Sequence, residues 1–207
     1  MIKKEKNKSH VIILGSLFII IGMILLISKY INNYNLRKLN DERIANFFNN
    51  SSINNRIVED NQVNVNVDNN VVDNYIAVLE IPSIKLKKGI FSKDNVNNNV
   101  DKNIQILYES KMPDELGNFI LAGHSGSSNV SFFKNLDYLK NGDLIYVYYN
   151  NFKYIYKVVD SYYEIKDGDI QISKNYKKTI ITLTTCSQND NENQLVLIGE
   201  LINKVMY

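Results

Sequence analysis

Apolar residues are unevenly distributed along the chain, and the densest block lies near the N-terminus. From residue 11 to residue 27 every position is apolar or glycine, apart from one serine. With the residues up to Ile31 the block reaches the ~20 residues that a helix needs to cross the hydrocarbon layer of a bilayer. The pattern therefore predicts a transmembrane helix over residues 11–31.

The flanks of this block predict its orientation. Residues 1–10 are polar and contain four lysines, and lysines before a span favour a cytoplasmic N-terminus. Lys29 and Tyr30 follow it, as suits a membrane interface. A cleaved signal peptide is the competing interpretation, but the block is longer than a usual signal core and no Ala-x-Ala-like site follows. We expect residues 1–10 to be a cytoplasmic tail and the chain after residue 31 to be extracellular.

Residues 32–72 are predicted to be a stalk. Apolar side chains recur there at helical spacing, which indicates a juxtamembrane helix over about 34–48. From residue 49 to residue 74 the chain is rich in asparagine, aspartate and valine. The valines alternate with asparagine over 63–67, a pattern that also suits a strand, but the surrounding asparagines favour a flexible spacer.

Short runs of β-branched and aromatic residues dominate residues 73–207, which are long enough for one domain. These runs predict strands over 75–81, 104–107, 118–123, 143–149, 152–160, 179–185 and 195–202. Asn150 and Asn151 lie between two of them and predict a hairpin, because asparagine tolerates positive φ. Apolar residues at helical spacing predict one short helix over 132–139. The pattern predicts a mainly β domain, either a closed barrel or a sandwich.

Two reactive side chains stand where apolar runs end. Cys186, the only cysteine, closes the run 181–186, and a polar loop follows it. A thiol in that position can be a nucleophile, although most lone cysteines are small buried hydrophobes. His124 is the only histidine of the predicted domain and closes a second run, between Gly123 and Gly126. One thiol and one imidazole in such positions form a nucleophile–base pair.

Three segments resemble the sortases, the membrane-anchored transpeptidases of Gram-positive bacteria. Residues 182–186, Thr-Leu-Thr-Thr-Cys, resemble the TLxTC signature, and residues 122–124, Ala-Gly-His, resemble the segment of the catalytic histidine. Residues 75–84, with their Ile-Pro pair, resemble the opening strand of the barrel. The resemblance covers roughly residues 73–207. It implies an eight-stranded sortase β-barrel with short helices, preceded by one N-terminal transmembrane helix.

The resemblance also implies a cysteine transpeptidase. Cys186 would attack a backbone carbonyl in a secreted protein that bears a C-terminal sorting signal, and His124 would protonate the leaving amine. An amine of peptidoglycan or of a pilin would resolve the thioacyl-enzyme. No cofactor and no metal is expected, and the net charge of +2 is too small to argue for nucleic acid.

The chain departs from the sortase pattern at one position. Sortases normally carry an arginine after the cysteine loop, and Gln194 corresponds to it here. The three arginines of the chain, at positions 37, 43 and 56, all precede the predicted domain. Gln194 could donate an uncharged hydrogen bond to an oxyanion, a lysine or a backbone amide could do so, or Gln194 could be an exposed loop-end residue. A membrane-anchored cysteine hydrolase, which would use the same Cys-His pair but release a free acid, stays open. A catalytically weak sortase-like module that binds sorting peptides also stays open, and the missing arginine favours it.

Overall fold

A single long helix, α1, occupies the N-terminal part of the chain from Lys3 to Glu59. The computed structural model describes residues 3–59, 74–166, 178–188, 190 and 192–207, with the side chains of α1 described from residue 12 to residue 51. Two compact units divide the chain at residue 41. In the first unit the side chains from Ile12 to Ile31 are almost all exposed, and by length and composition the helix can cross a membrane.

The second unit, Glu42–Tyr207, begins with the last part of α1 that has described side chains. Ile44 is buried there in a small cluster with Tyr75, Val78 and Phe91. Phe48 packs edge-to-face against Tyr148, with ring centroids 5.1 Å apart. Side chains four residues apart share one face of a helix, and in α1 this apolar face lies against the sheet.

Helix α1 is longer than the sequence indicates. A helix was expected over about 34–48, followed by a flexible spacer over 49–74, whereas the helix continues to Glu59. Residues 60–73 of the predicted spacer lie outside the described residues. The packed face from Ile44 to Ser51 gives the helix a tertiary support that an isolated helical pattern does not reveal.

Eight strands form the rest of the second unit. They are β1 (Ala77–Ile81), β2 (Leu86–Ile90), β3 (Gln105–Ile106), β4 (Gly117–Ala122), β5 (Leu144–Tyr149), β6 (Phe152–Ile165), β7 (Thr179–Cys186) and β8 (Asn193–Met206). Two single-turn 3-10 helices, Pro82–Ile84 and Leu136–Tyr138, lie between strands.

The strands form one barrel-like sheet in the order β2-β1-β5-β6-β8-β7-β4-β3. All neighbouring strands are antiparallel except β4 and β7, which run parallel. The side chains that face inward form one continuous hydrophobic core, in which Phe119, Leu121, Ile181 and Leu183 of this parallel pair are at most 1% exposed. The predicted mainly β, eight-stranded barrel is confirmed.

Several predicted elements differ in detail. Strand β2 was not predicted, because its sequence Leu-Lys-Lys-Gly-Ile carries two lysines and a glycine in five residues. The helix predicted over 132–139 is wrong except for the turn Leu136–Tyr138. The backbone N–H of Phe133 donates instead to the carbonyl of His124, at 3.0 Å. The hairpin at Asn150 and Asn151 is confirmed, with φ values of 48° and 62° that suit a type I′ turn.

Candidate active site

His124 and Cys186 lie at the same end of the parallel strand pair. Ala122 of β4 is in register with Thr184 of β7. His124 comes two residues after Ala122, and Cys186 comes two residues after Thr184. Because the strands run parallel, their carboxyl ends meet at one edge of the sheet. The two predicted catalytic residues, His124 and Cys186, therefore lie at the same edge of the sheet.

Hydrogen bonds fix the two strand ends to each other beyond the regular ladder. The backbone N–H of Gly123 donates to the carbonyl of Thr184, at 3.2 Å. The hydroxyl of Thr185 donates back to the carbonyl of Gly123, at 2.6 Å, and this side chain is buried. The residues directly before His124 and directly before Cys186 thus hold each other, which limits how far the imidazole and the thiol can separate.

Gly123 serves this site through close packing. A Cβ atom at Gly123 would lie only 2.9 Å from the ring of Phe133, which is fully buried. Positive φ among the described glycines occurs at Gly117 and Gly142, so Gly123 is not required by a left-handed backbone. Close approach is therefore the reason for glycine at position 123.

The imidazole of His124 has an acidic partner. Its Nε2 lies 3.1 Å from Oδ1 of Asp101, and the two side chains are 38% and 79% exposed. Asp101 belongs to the loop between β2 and β3, which asparagine side chains hold in place. Asn98 donates to the carbonyl of Ile106 and accepts from its N–H, at 3.1 and 2.7 Å. An exposed pair of this kind contributes little to stability, but it orients the ring.

The thiol of Cys186 has a cationic partner. Nζ of Lys166 lies 3.3 Å from Sγ of Cys186, which is half-buried. Lys166 directly follows β6, and its backbone N–H donates to the carbonyl of Glu192 at 2.7 Å. The lysine thus reaches the thiol from two strands away, because β8 lies between β6 and β7.

Gln194 lies next to Cys186 on the neighbouring strand. The two residues are register partners in the β7–β8 pair, and Gln194 is also the register partner of Glu164 in the β6–β8 pair. Its amide Nε2 donates to Oε1 of Glu164, at 3.1 Å. One amide hydrogen is therefore engaged, and the same amide carries a second, uncharged N–H on the strand beside the thiol.

The loop after Cys186 is organised around Asp190. The carboxylate of Asp190 accepts the backbone N–H groups of Asn193 and Glu192, at 2.7 and 3.0 Å. These hydrogen bonds, that of Asn193 above all, lower the pKa of Asp190 below its ordinary value. Gln188 of the same loop donates to the carbonyl of Lys134, which lies in the segment after His124. The segments that follow the two reactive residues are therefore in contact.

Three predicted residues, His124, Cys186 and Gln194, are brought to one edge of the sheet, and two further residues join them. Asp101 and Lys166 were not predicted, because neither stands in a motif or at the end of an apolar run. Among the described residues, no group of three His, Cys, Asp or Glu side chains could hold a metal ion.

Comparisons with known proteins agree with the fold and the motifs. The sortase domain family matches residues 79–202. Sortase A of Bacillus anthracis is 31% identical over 128 residues, which are 61% of this chain and 60% of that protein. Sortase C-1 from Actinomyces oris has a TM-score of 0.56 at 26% identity, over 64% of this chain and 75% of that one. Sortase A of Listeria monocytogenes has a TM-score of 0.56 at 24% identity, over 65% and 92%. The chain belongs to the sortase family.

Proposed function

We propose that this chain is a membrane-anchored cysteine transpeptidase. The observation that carries the proposal is the shared edge of β4 and β7, where His124 and Cys186 follow register partners by two residues each. One thiol and one domain histidine at that edge support nucleophilic acyl transfer. The substrate would be a secreted protein with a C-terminal sorting signal, and the acceptor an amine of peptidoglycan or of a pilin.

The reaction would proceed in two acyl transfers. The thiolate of Cys186 attacks the scissile carbonyl carbon, the C–N bond breaks, and His124 gives a proton to the departing amine. A thioester between Cys186 and the substrate remains. The acceptor amine then attacks the thioester, His124 takes its proton, and the C–S bond breaks to return the thiolate. In both steps Gln194 would donate its second amide hydrogen to the carbonyl oxygen as that oxygen becomes negative.

The anchor would be the apolar part of α1, with residues 1–10 in the cytoplasm, residues 11–31 in the membrane and the domain over 73–207 outside. Protease added to intact protoplasts should then remove the domain. Protection of the domain would exclude this topology and, with it, an extracellular substrate.

The decisive experiment is turnover by a soluble fragment, residues 32–207, with a library of sorting-motif peptides and candidate amines, followed by mass spectrometry. A transpeptidase yields the amide product, and a cysteine hydrolase yields the free acid. Cys186→Ala should abolish turnover, because the chain has no other thiol, and His124→Ala should be nearly as severe. Ser187→Ala, directly beside the nucleophile, is the matched control and should stay active. Turnover by Cys186→Ala would rule out the covalent mechanism.

A second function has one observation in its favour. The domain contains no arginine, and a neutral donor at position 194 stabilises an oxyanion less than a charged one. A module that binds sorting peptides without turning them over would need no charged oxyanion donor. Peptide binding without product or thioacyl-enzyme, in the same mass-spectrometric assay, would favour the module.

A further inference from the structure

The cation at the nucleophile of this chain is a lysine that no sequence motif marks. In the part of the chain that the structure describes, Lys166 is the basic side chain that donates a hydrogen bond to Sγ of Cys186, at 3.3 Å. We infer that Lys166 supplies the positive charge for acyl transfer at Cys186. This inference rests on the proposed function, since it assigns a catalytic role beside the proposed nucleophile.

The other residues of the site do not carry this charge. Gln194 is neutral, and its amide already donates to the carboxylate of Glu164. All arginines of the chain precede residue 57. Lys178, which lies directly before β7, pairs instead with Glu200 at 2.8 Å. Among the residues that the structure describes, Lys166 is therefore the basic group in contact with the thiol.

The backbone around Lys166 explains how an exposed side chain is held at this place. The lysine stands one residue after β6, where its N–H donates to the carbonyl of Glu192 at 2.7 Å. That bond continues the β6–β8 ladder past the pair formed by Ile165 and Asn193. The Cα atom of Lys166 is thus tied to β8, whose next neighbour, β7, ends at Cys186.

The chemistry suits an ammonium group. The thiolate is the form of cysteine that attacks a carbonyl carbon, and the ammonium group lies in hydrogen-bond contact with that sulfur. As attack proceeds, negative charge moves from sulfur to the carbonyl oxygen, which is bonded to the same carbon. An ammonium has three donors on a flexible stem, so Lys166 can keep one hydrogen on sulfur while another reaches the oxyanion. The proton of Lys166 is not transferred in either step, and His124 alone exchanges protons with the amines.

The first test measures the reactivity of the thiol without any substrate. Because the chain has one cysteine, alkylation reports Cys186 alone. Rates are measured at one pH and low salt with neutral iodoacetamide and with anionic iodoacetate. Lys166→Gln should slow both reactions and should lower the ratio of the iodoacetate rate to the iodoacetamide rate by about fivefold, the effect of one charge at contact distance in water. Lys166→Arg should preserve the ratio.

Lys157→Gln is the matched control, because it removes an exposed lysine from β6, the strand that Lys166 directly follows. Its rate ratio should equal that of the parent. A ratio that is unchanged in Lys166→Gln, or equally lowered in Lys157→Gln, would overturn the inference. Added salt should reduce the parent ratio toward that of Lys166→Gln, since ions screen an exposed charge.

The second test separates this inference from the proposed function. With a sorting peptide that is turned over, Lys166→Gln should lower kcat/KM at least about tenfold, and Lys166→Arg should recover most of the loss. If Cys186→Ala is inactive while Lys166→Gln has parental turnover, the transpeptidase stands and the lysine has no catalytic role. If the parent turns nothing over but its alkylation depends on Lys166, the transpeptidase proposal fails while the charge at the thiol is supported.

Discussion

Substitution of Ile44 by alanine should destabilise the folded unit Glu42–Tyr207, although the residue lies in the predicted stalk. Ile44 is 6% exposed and packs with Tyr75, Val78 and Phe91. Removal of its three outer carbons costs about 2.4 kcal/mol of transfer free energy. Alanine has a higher helix propensity than isoleucine, which offsets this loss by a few tenths of a kcal/mol. The free energy of unfolding should therefore fall by about 2 kcal/mol, and Tm by about 4–8 °C for a unit of this size.

The assay is thermal unfolding of the soluble fragment 32–207, followed by far-UV circular dichroism. Asn46→Ala is the matched control, because Asn46 is exposed on the same stretch of helix and should change the free energy by at most about 0.5 kcal/mol. A fragment that starts at residue 74 should be less stable than Ile44→Ala, since it also loses Phe47 and Phe48. Equal Tm values for the parent, Ile44→Ala and the 74–207 fragment would refute the reasoning.

Three further predictions concern the site. Gln194→Ala should lower kcat more than it raises KM, approaching ~10²-fold, because an oxyanion donor acts in the transition state; equal kinetics would make Gln194 a loop-end residue. Asp101→Asn should lower kcat only a few-fold at constant Tm, because the pair with His124 is exposed; a loss as large as that of His124→Ala would contradict this. The lowered pKa of Asp190 means that its stabilising effect is present above its unfolded pKa of about 4 and is lost as pH falls through the lowered value. Asp190→Asn should therefore lower Tm at pH 7, and the difference should vanish in acid; a difference that persists below about pH 2 would contradict it.

The sequence predicts those parts of the fold that repeat a pattern. The runs that became β4 and β7 are rich in apolar and β-branched residues, and most of their positions are buried in the core. Such runs are easily recognised as strands. The turn at Asn150 and Asn151 is similarly local. Strand β2 has no such pattern, since two of its residues are lysines and only its last two are buried. Its pairing with β1, rather than its own composition, makes it a strand.

Some residues of the site can be found from the local sequence, and others are placed there only by the fold. His124 and Cys186 follow apolar runs, so each can be found from its own neighbours in the sequence. Asp101 and Lys166 act across distances of 23 and 20 residues, and no local pattern sets those contacts. Their positions depend on the Asn-rich loop before β3 and on the register of β6 with β8, which only the assembled sheet provides.

The residues of the site differ in how readily they can be substituted. The proposed nucleophile and base stand at the ends of buried strands, where backbone hydrogen bonds through Gly123 and Thr185 fix their spacing. The charged partners come from exposed segments, where a side chain can be exchanged at little cost in stability. If Lys166 supplies the charge as inferred, the end of β6 provides the cation where β8 carries the neutral Gln194, because both residues flank the same thiol. The position of the cation is then free to vary while the thiol and imidazole stay where the core holds them.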